Sequence, residues 1–541
     1  MGASRRNLVV ALFLLIGTPV AASASAPAAS AKAESLCVGA SPGCFPGLQA
    51  AIAAAHDGDT IHIGPGTFQG GVTIDVGVRI VGAGAGRTVI NGGGPVLTIG
   101  EIFAPTEPTV SIDGVTITGG VTRSSPESIP FVGQEGVMAR GGGVEIPPNA
   151  DFTGGATATI TNSVITGNRV APSATLPIGP SCPSGPCAFA SAIGGGVDSW
   201  GTLTLDRTTI SNNRIGSASG LSALASDAEG AGIDSSLAPL TITNSTISGN
   251  LASGSAPNGR FADGGAIFVG GRSLSMSNST VSGNSAILAA DLPNSVELDA
   301  HAGGIHVTDG ATGATITGST ITGNSATMTN SLGDAAADSG GLHADIDVVL
   351  ASDVISDNHV SAQTLPGSTG NVDGESGAGE FSGTFNKIRL TGNTVYARSA
   401  AGDASAGGGA SVFDGGVITN GIVSDNHLYA FSPFGSLDAG GGGMGITSGL
   451  TLRNTIVSGN SIVARGASGS ALGGGLNDDG GGPLALLNSS VTGNAVVGTA
   501  GLTVKGGGLY LQDEPLTLSN SVIAQNVPDQ CFGCGPRLIH R

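Results

Sequence analysis

Charge is scarce in this 541-residue chain: only 11% of residues are Asp, Glu, Lys or Arg. Lysine occurs three times, at Lys32, Lys387 and Lys505, and the formal net charge is −19. Such a surface repels phosphate backbones, which excludes nucleic acid as a partner, and it repels polyanionic sugars unless a cation intervenes. Aromatic residues are equally sparse, with one Trp and three Tyr (Tyr396, Tyr429, Tyr510). No stretch of about 18 apolar residues occurs, so no membrane span is expected in the mature chain. The chain has no Gly-Lys dipeptide and hence no P-loop, no H-E-x-x-H, and no strand–turn–helix context for a nucleophile elbow.

What is abundant is glycine, 94 residues, together with 40% hydrophobic residues. That much apolar surface argues against disorder, and the absence of a G-X-Y period excludes collagen. Turn-rich, repetitive β structure fits these numbers.

The first 26 residues read as a signal peptide: Arg5 and Arg6 precede the apolar run "LVVALFLLIG", and small residues near Ala22 to Ala26 offer a cleavage site. "SRRNL" leaves both the general and the twin-arginine routes open. A linker (27–44) and one domain (45–541) are expected to follow, secreted or held at the cell surface. The six cysteines fall in three close pairs: Cys37 with Cys44, Cys182 with Cys187, and Cys531 with Cys534. In an exported chain they read as local disulfides, although "CFGC" also has the spacing of a redox or zinc site.

One phrase recurs. Aligned on its last residue, "ITNSTISGN" and its variants end at Asn168, Asn213, Asn250, Asn284, Asn324, Asn358, Asn393, Asn426, Asn460, Asn494 and Asn526. Three positions earlier the residue is always aliphatic, and eight positions earlier always apolar, from Ile160 through Phe385 to Leu518. Seven copies also carry Asn six positions earlier, among them Asn162, Asn244 and Asn278. Alternation such as "LTL" marks a strand with one buried face. A second strand in each unit opens with glycines, as in "GGGVEI" (141–146) and "GGIHV" (303–307). Recurrent strands with no helix between them imply a solenoid of about thirteen coils, roughly 60 Å long at ~4.8 Å per coil. The repeated Asn then forms a ladder, as in cross-β stacks. Because its copies are interchangeable, the phrase is scaffold and not site.

Residues 45–68 differ. "GLQAAIAAAH" places Leu48, Ile52 and Ala55 at helical spacing after Pro46, a cap for the open apolar end of the rod. His56 and His62 in this cap are expected at the surface or as satisfied core residues, not in catalysis.

The segment "LQAAIAAAHDGDTIHIGPGTF", followed by "VRIVGAGAGRTVING", resembles the entry into the right-handed parallel β-helix of pectin-lyase-like proteins. The glycine-led and "NSTISGN" strands are similar to the repeats of that superfamily's exported bacterial members. The resemblance covers nearly all of 45–526 and implies an all-β, single-stranded right-handed parallel β-helix with a short N-terminal capping helix. It implies no activity, because the superfamily mixes lyases, hydrolases, esterases and adhesins. Polygalacturonase-like members carry N-x-D, D-D, G-H-G and R-x-K; only "NDD" (477–479) has a counterpart here. No arginine matches that of pectate-lyase-like members, so no catalytic residue is carried over.

In the glycine-led strand, the residue between two inward positions should face outward. Coil by coil it is Glu145, Asp198, Asp234, Phe268, His306, His343 and Glu380, then Ser411, Gly445, Asn477 and Tyr510. Six of the first seven can bind a cation or exchange a proton, which marks a ligand or cation groove. Calcium suits its carboxylates, and Asp309, Asp345 and Asp347 share the histidine coils. Extra residues such as 169–193 and 214–229 are expected as loops walling the groove, with Trp200 close by. His359 and His427 share a variable slot with Arg169 and Arg214 and read as solvent-facing. Two functions follow as expectations. The first is a non-catalytic rod for adhesion or glycan binding, its partner a polysaccharide or cell-surface component. The second is a polysaccharide lyase or glycoside hydrolase acting in the groove.

Overall fold

The computed structural model describes residues 33–123, 135–172, 188–216, 224–255, 259–291, 298–413, 415–478, 480, 482–512 and 514–535. The signal peptide expected over residues 1–26 lies outside these residues. So do Cys182 and Cys187, and with them the disulfide expected between the two. The chain forms a single-stranded right-handed parallel β-helix, in which every ladder between consecutive coils is parallel. A 14-stranded sheet is built from the three-residue strands at the heart of the repeated phrase, such as Thr246–Ser248. A 27-stranded sheet holds two ladders, the glycine-led strands (Val197–Ser199) and the "LTL" strands (Leu203–Asp206). The two fuse where Leu342–Ala351 and Gly379–Asn386 run through both.

Backbone conformation explains the phrase. The Asn six positions before the ladder Asn is left-handed in every copy that has it, with φ between 48° and 57°. The residue just before the ladder Asn is left-handed too, usually as glycine (Gly249, φ 64°). Asn and Gly tolerate that region best, so both corners around the short strand are written into the sequence. Between the corners, Ile247 and its counterparts stack as a core column with Ile242 and its own. Burying each such side chain contributes about 1.5–3 kcal/mol.

The ladder is complete across the eleven asparagines. Each Nδ2 donates to the Oδ1 of the next Asn at 2.8–3.1 Å. Each also donates to a main-chain carbonyl of the preceding coil, for example Asn284 to Ile247. At the C-terminal end Gln530 Oε1 accepts in place of a twelfth Asn. A second, shorter ladder is formed by hydroxyls five positions earlier, as in Ser245 N–H to Ser279 Oγ and Ser279 N–H to Ser319 Oγ.

The N-terminal helix spans Leu48–Ile52, with Leu48, Ala51 and Ile52 buried against the first coils. His56 and His62 are exposed. Ser35–Val38 already pairs with Thr60–Ile63. Disulfides join Cys37 to Cys44 and Cys531 to Cys534.

Where loops were expected between the ladder Asn and the glycines, the structure has strands. An outgoing strand (Ser285–Ala290) and a returning one (Asp299–His301) stack on their counterparts in a 20-stranded sheet. The two layers enclose a second core of Ala286, Leu288, Leu298 and Ala300 and their equivalents. In the returning strands one column reads Ala139, Ala192, Ala228, Ala262, Ala300, Ala337. Methyl side chains there allow the layers to approach closely. The result is a fin along the rod, with a concave corner where the returning strands meet the glycine-led ones.

Candidate functional site

The corner has two columns. One is the column expected from the sequence: Glu145, Asp198, Asp234, Phe268, His306, His343 and Glu380 stand on adjacent rungs. Beyond Glu380 the register continues through Val412, not Ser411, to Gly445, Asn477 and Tyr510. The degenerate glycine run before Ser411 hides this one-residue difference.

The second column went unread in the sequence. It lies on the returning strand, five residues before the first: Arg140, Ile193, Glu229, Asp263, His301, Asp338 and Glu375. The constant offset is a signal that could have found it. It was hidden because these segments read as irregular loops.

These side chains do not form an open, solvated face. Asp198 and Asp234 are fully buried, Glu145, His306 and His343 nearly so, and Glu380 is half-buried. The reason is the fin, whose returning strand covers one flank of the column. His301, Asp299, Asp338, Asp345 and Glu380 form the part that water reaches.

At the centre, three imidazoles meet. His301 and His343 stack with centroids 4.7 Å apart, and His306 stands perpendicular to both at 5.5 and 4.9 Å. Phe268 closes the neighbouring rung edge-on to His306 at 5.2 Å. Asp299 lies 3.2 Å from His301 Nε2, and Asp345 lies 3.0 Å from His343 Nε2. Asp338 is 3.3 Å from His343 Nδ1, a nitrogen that also meets Ser339 Oγ at 3.1 Å. Asp309 is exposed, and Asp347 accepts from Ser382 at 2.6 Å outside the corner.

Burial and charge drive the groups apart. Burial pulls His306 down to about 4, so it is neutral at pH 7. Burial also opposes charge on His343, but Asp338 and Asp345 outweigh it and hold His343 well above the usual range. Burial lifts Glu380 to about 7, helped by Asp338. It lifts Asp263 to about 7 as well, against the pull of His301. In the earlier coils burial raises Glu229 and Asp234, and each is raised further by neighbouring carboxylates. Arg140 approaches Asp198 at 3.7 Å and lies 4.7 Å over the Trp200 ring, which contacts Phe152 in turn.

The backbone beneath the histidines is unusual. The left-handed corner that opens each glycine-led strand is Gly in most coils, such as Gly230 and Gly264. In three consecutive coils it is Ala302, Ser339 and Ser376, with φ of 46°, 58° and 61°. Non-glycine residues there cost roughly 1–2 kcal/mol each. Ser339 uses its position: its hydroxyl bonds Asp338 and His343 and accepts from the Glu380 N–H.

Elsewhere, Tyr396, Tyr429, Phe431, Arg398 and Arg465 line a shallow pocket of about 330 Å³ on the outer face of the fin. His427 bonds Ser461 at 2.9 Å, and Tyr510 stacks on Phe532. No helix among the described residues is long and apolar enough to cross a membrane.

No protein-family model and no curated protein matches the chain. Among solved structures, the A-module of the mannuronan C-5 epimerase AlgE6 from Azotobacter vinelandii aligns over 88% of this chain and 93% of that one, at 13% identity and a TM-score of 0.24. An overlap that loose has no bearing on function.

Proposed function

We propose that the protein is a secreted glycan-recognition rod, with an extended neutral or amino-sugar polymer lying along the corner between the fin and the glycine-led strands. The observation that carries this reading is the run of ionisable side chains in two adjacent columns, from Arg140 and Glu145 to Glu375 and Glu380. Packing alone gives no reason for it, since burying an ionisable group is costly unless it is paired. Rungs repeat at ~4.8 Å, close to the length of one pyranose unit in an extended polysaccharide. Successive sugars therefore follow successive rungs, and their hydroxyl or ammonium groups pair with the carboxylates that water reaches, Asp299, Asp338, Asp345 and Glu380. Phe268 within the column supplies an apolar surface for a sugar ring. The net charge of −19 favours neutral or cationic chains over polyuronates.

A second reading, cleavage of the bound polymer, is favoured by the three strained corners under the histidine coils, since such strain gathers at active sites. One experiment separates the outcomes. Neutral, amino-sugar and uronate oligosaccharides are titrated calorimetrically into wild type and Phe268→Ala, with products followed by mass spectrometry. Binding of the first two classes, weakened by the substitution, is expected. Absence of binding to any class refutes the proposal, and shortened products establish the second reading.

A further inference from the structure

The three histidines of the corner have a geometry that sugar recognition does not require. They come from three strands and two adjacent coils: His301 from a returning strand, His306 and His343 from successive glycine-led strands. Each offers one ring nitrogen within 4.8 Å of the others'. His306 is 6% exposed, and neither of its ring nitrogens makes a close hydrogen bond; a carboxylate oxygen of Asp345 is 3.7 Å from Nε2. A buried imidazole whose nitrogens go unsatisfied is destabilising. Phe268 stands edge-on to that ring, and a nitrogen of the ring shares one space with a nitrogen of each of the other two histidines.

We propose that His301, His306 and His343 bind a transition-metal ion of the zinc class, with the Asp345 carboxylate or a solvent molecule as fourth ligand. The donor chemistry selects the ion. Calcium and magnesium take oxygen ligands, whereas neutral imidazole suits zinc, copper, nickel, cobalt or iron. Calcium, which the acidic column suggests when read from sequence, is the wrong ion for this cluster. The surrounding carboxylates occupy the positions that outer partners of metal-bound histidines take. Asp338 and Ser339 hold Nδ1 of His343, leaving Nε2 toward Asp345 and His306. Asp299 holds Nε2 of His301. Closing the three nitrogens onto one ion at about 2.0–2.1 Å requires the rings to draw together. The half-exposed His301 and Asp345 leave the approach open to solvent.

The proposal does not rest on the glycan reading, because a metal centre here would clamp two adjacent coils whatever lies along the corner. The test uses the full chain, purified without a polyhistidine tag and stripped with a chelator. Zinc, cobalt(II), nickel and calcium are titrated separately. Bound metal is counted by elemental analysis after gel filtration, and cobalt(II) is followed by its visible absorption. One transition ion per chain is expected, with an intense cobalt band of four-coordinate type and no calcium bound at the same site. His306→Ala and His301→Ala should each lower zinc affinity at least tenfold, and Asp299→Asn by about tenfold. If the buried His306 variant does not fold, the half-exposed His301 decides the matter alone. Undiminished zinc binding in His301→Ala, preference for calcium, or no bound ion overturns the proposal. None of these outcomes depends on whether any glycan binds.

Discussion

Replacing Asn284 with alanine removes four hydrogen bonds at once. Its Oδ1 accepts from the Asn250 N–H at 3.0 Å and from Asn250 Nδ2 at 2.9 Å. Its Nδ2 donates to the Ile247 carbonyl at 3.1 Å and to Asn324 Oδ1 at 2.9 Å. Asn324 Oδ1 keeps the Asn284 N–H, which belongs to the backbone. The two donors on Asn250 lose their acceptor where Asn250 is 1% exposed and water is excluded. At about 1–3 kcal/mol for each buried orphan, the substitution should cost about 2–6 kcal/mol. Asn244→Gly is the control: that Asn is exposed, and its φ of 50° suits glycine, so the cost should stay below about 1 kcal/mol. Urea unfolding compares the two, and amide hydrogen exchange at Asn250 and Ser285 reads the damage locally, since solenoid coils couple mainly to their neighbours. Equal midpoints for the two variants, with unchanged exchange at Asn250, would refute the ladder as a source of stability.

Two further predictions concern coils that depart from the repeat. Asp353 stands in the hydroxyl ladder, where its buried carboxylate accepts from Ser319 N–H and Ala351 N–H, both at 2.7 Å. Burial still lifts it to about 7. A carboxyl raised above its unfolded value of about 3.9 binds its proton more tightly when folded, so its contribution is full below pH 4 and is lost as pH rises toward 7. Asp353→Ser should therefore remove a pH-dependent loss of roughly 2–4 kcal/mol, seen as a smaller drop in melting temperature between pH 5 and pH 8 than in wild type; identical drops contradict it. Ser339→Gly should relieve the left-handed corner while stripping His343 of its hydroxyl partner. Stability should stay within about 1–2 kcal/mol of wild type, while zinc affinity falls about tenfold; unchanged affinity would remove Ser339 from the site.

The coil register was legible because it is repeated. The "NSTISGN" phrase encodes two left-handed corners and an inward strand, and its recurrence locates Ile247, Ile242 and Asn250 in every coil. The same register located Glu145 to Glu380 on adjacent rungs. Burial of that column was not legible, because it depends on the fin. Segments such as 285–301 vary in length and lack a fixed phrase, so their pairing shows only when coils are stacked. With them went His301 and Asp338, the residues that turn a row of polar side chains into a cluster. Alternation in "SAILAA" and small residues in "ELDAHA" were the local marks of those strands, weak because alanine carries little strand preference.

The asparagine ladder also bears on how this chain can change length. Every rung presents the same donor and acceptor to its neighbours, so an entire coil of about 34 residues can be duplicated or excised between rungs without stranding an amide. Interchangeability stops at the Leu48–Ile52 helix and at Gln530, the two ends that terminate the stack. It stops also at the histidine coils, because removing the unit that carries His343 would separate His301 and His306 from their third partner. Drift in coil number is thus tolerated over most of the rod and forbidden across a short stretch of it. Lengthening the protein therefore leaves the histidine cluster intact, provided that the new coils enter elsewhere.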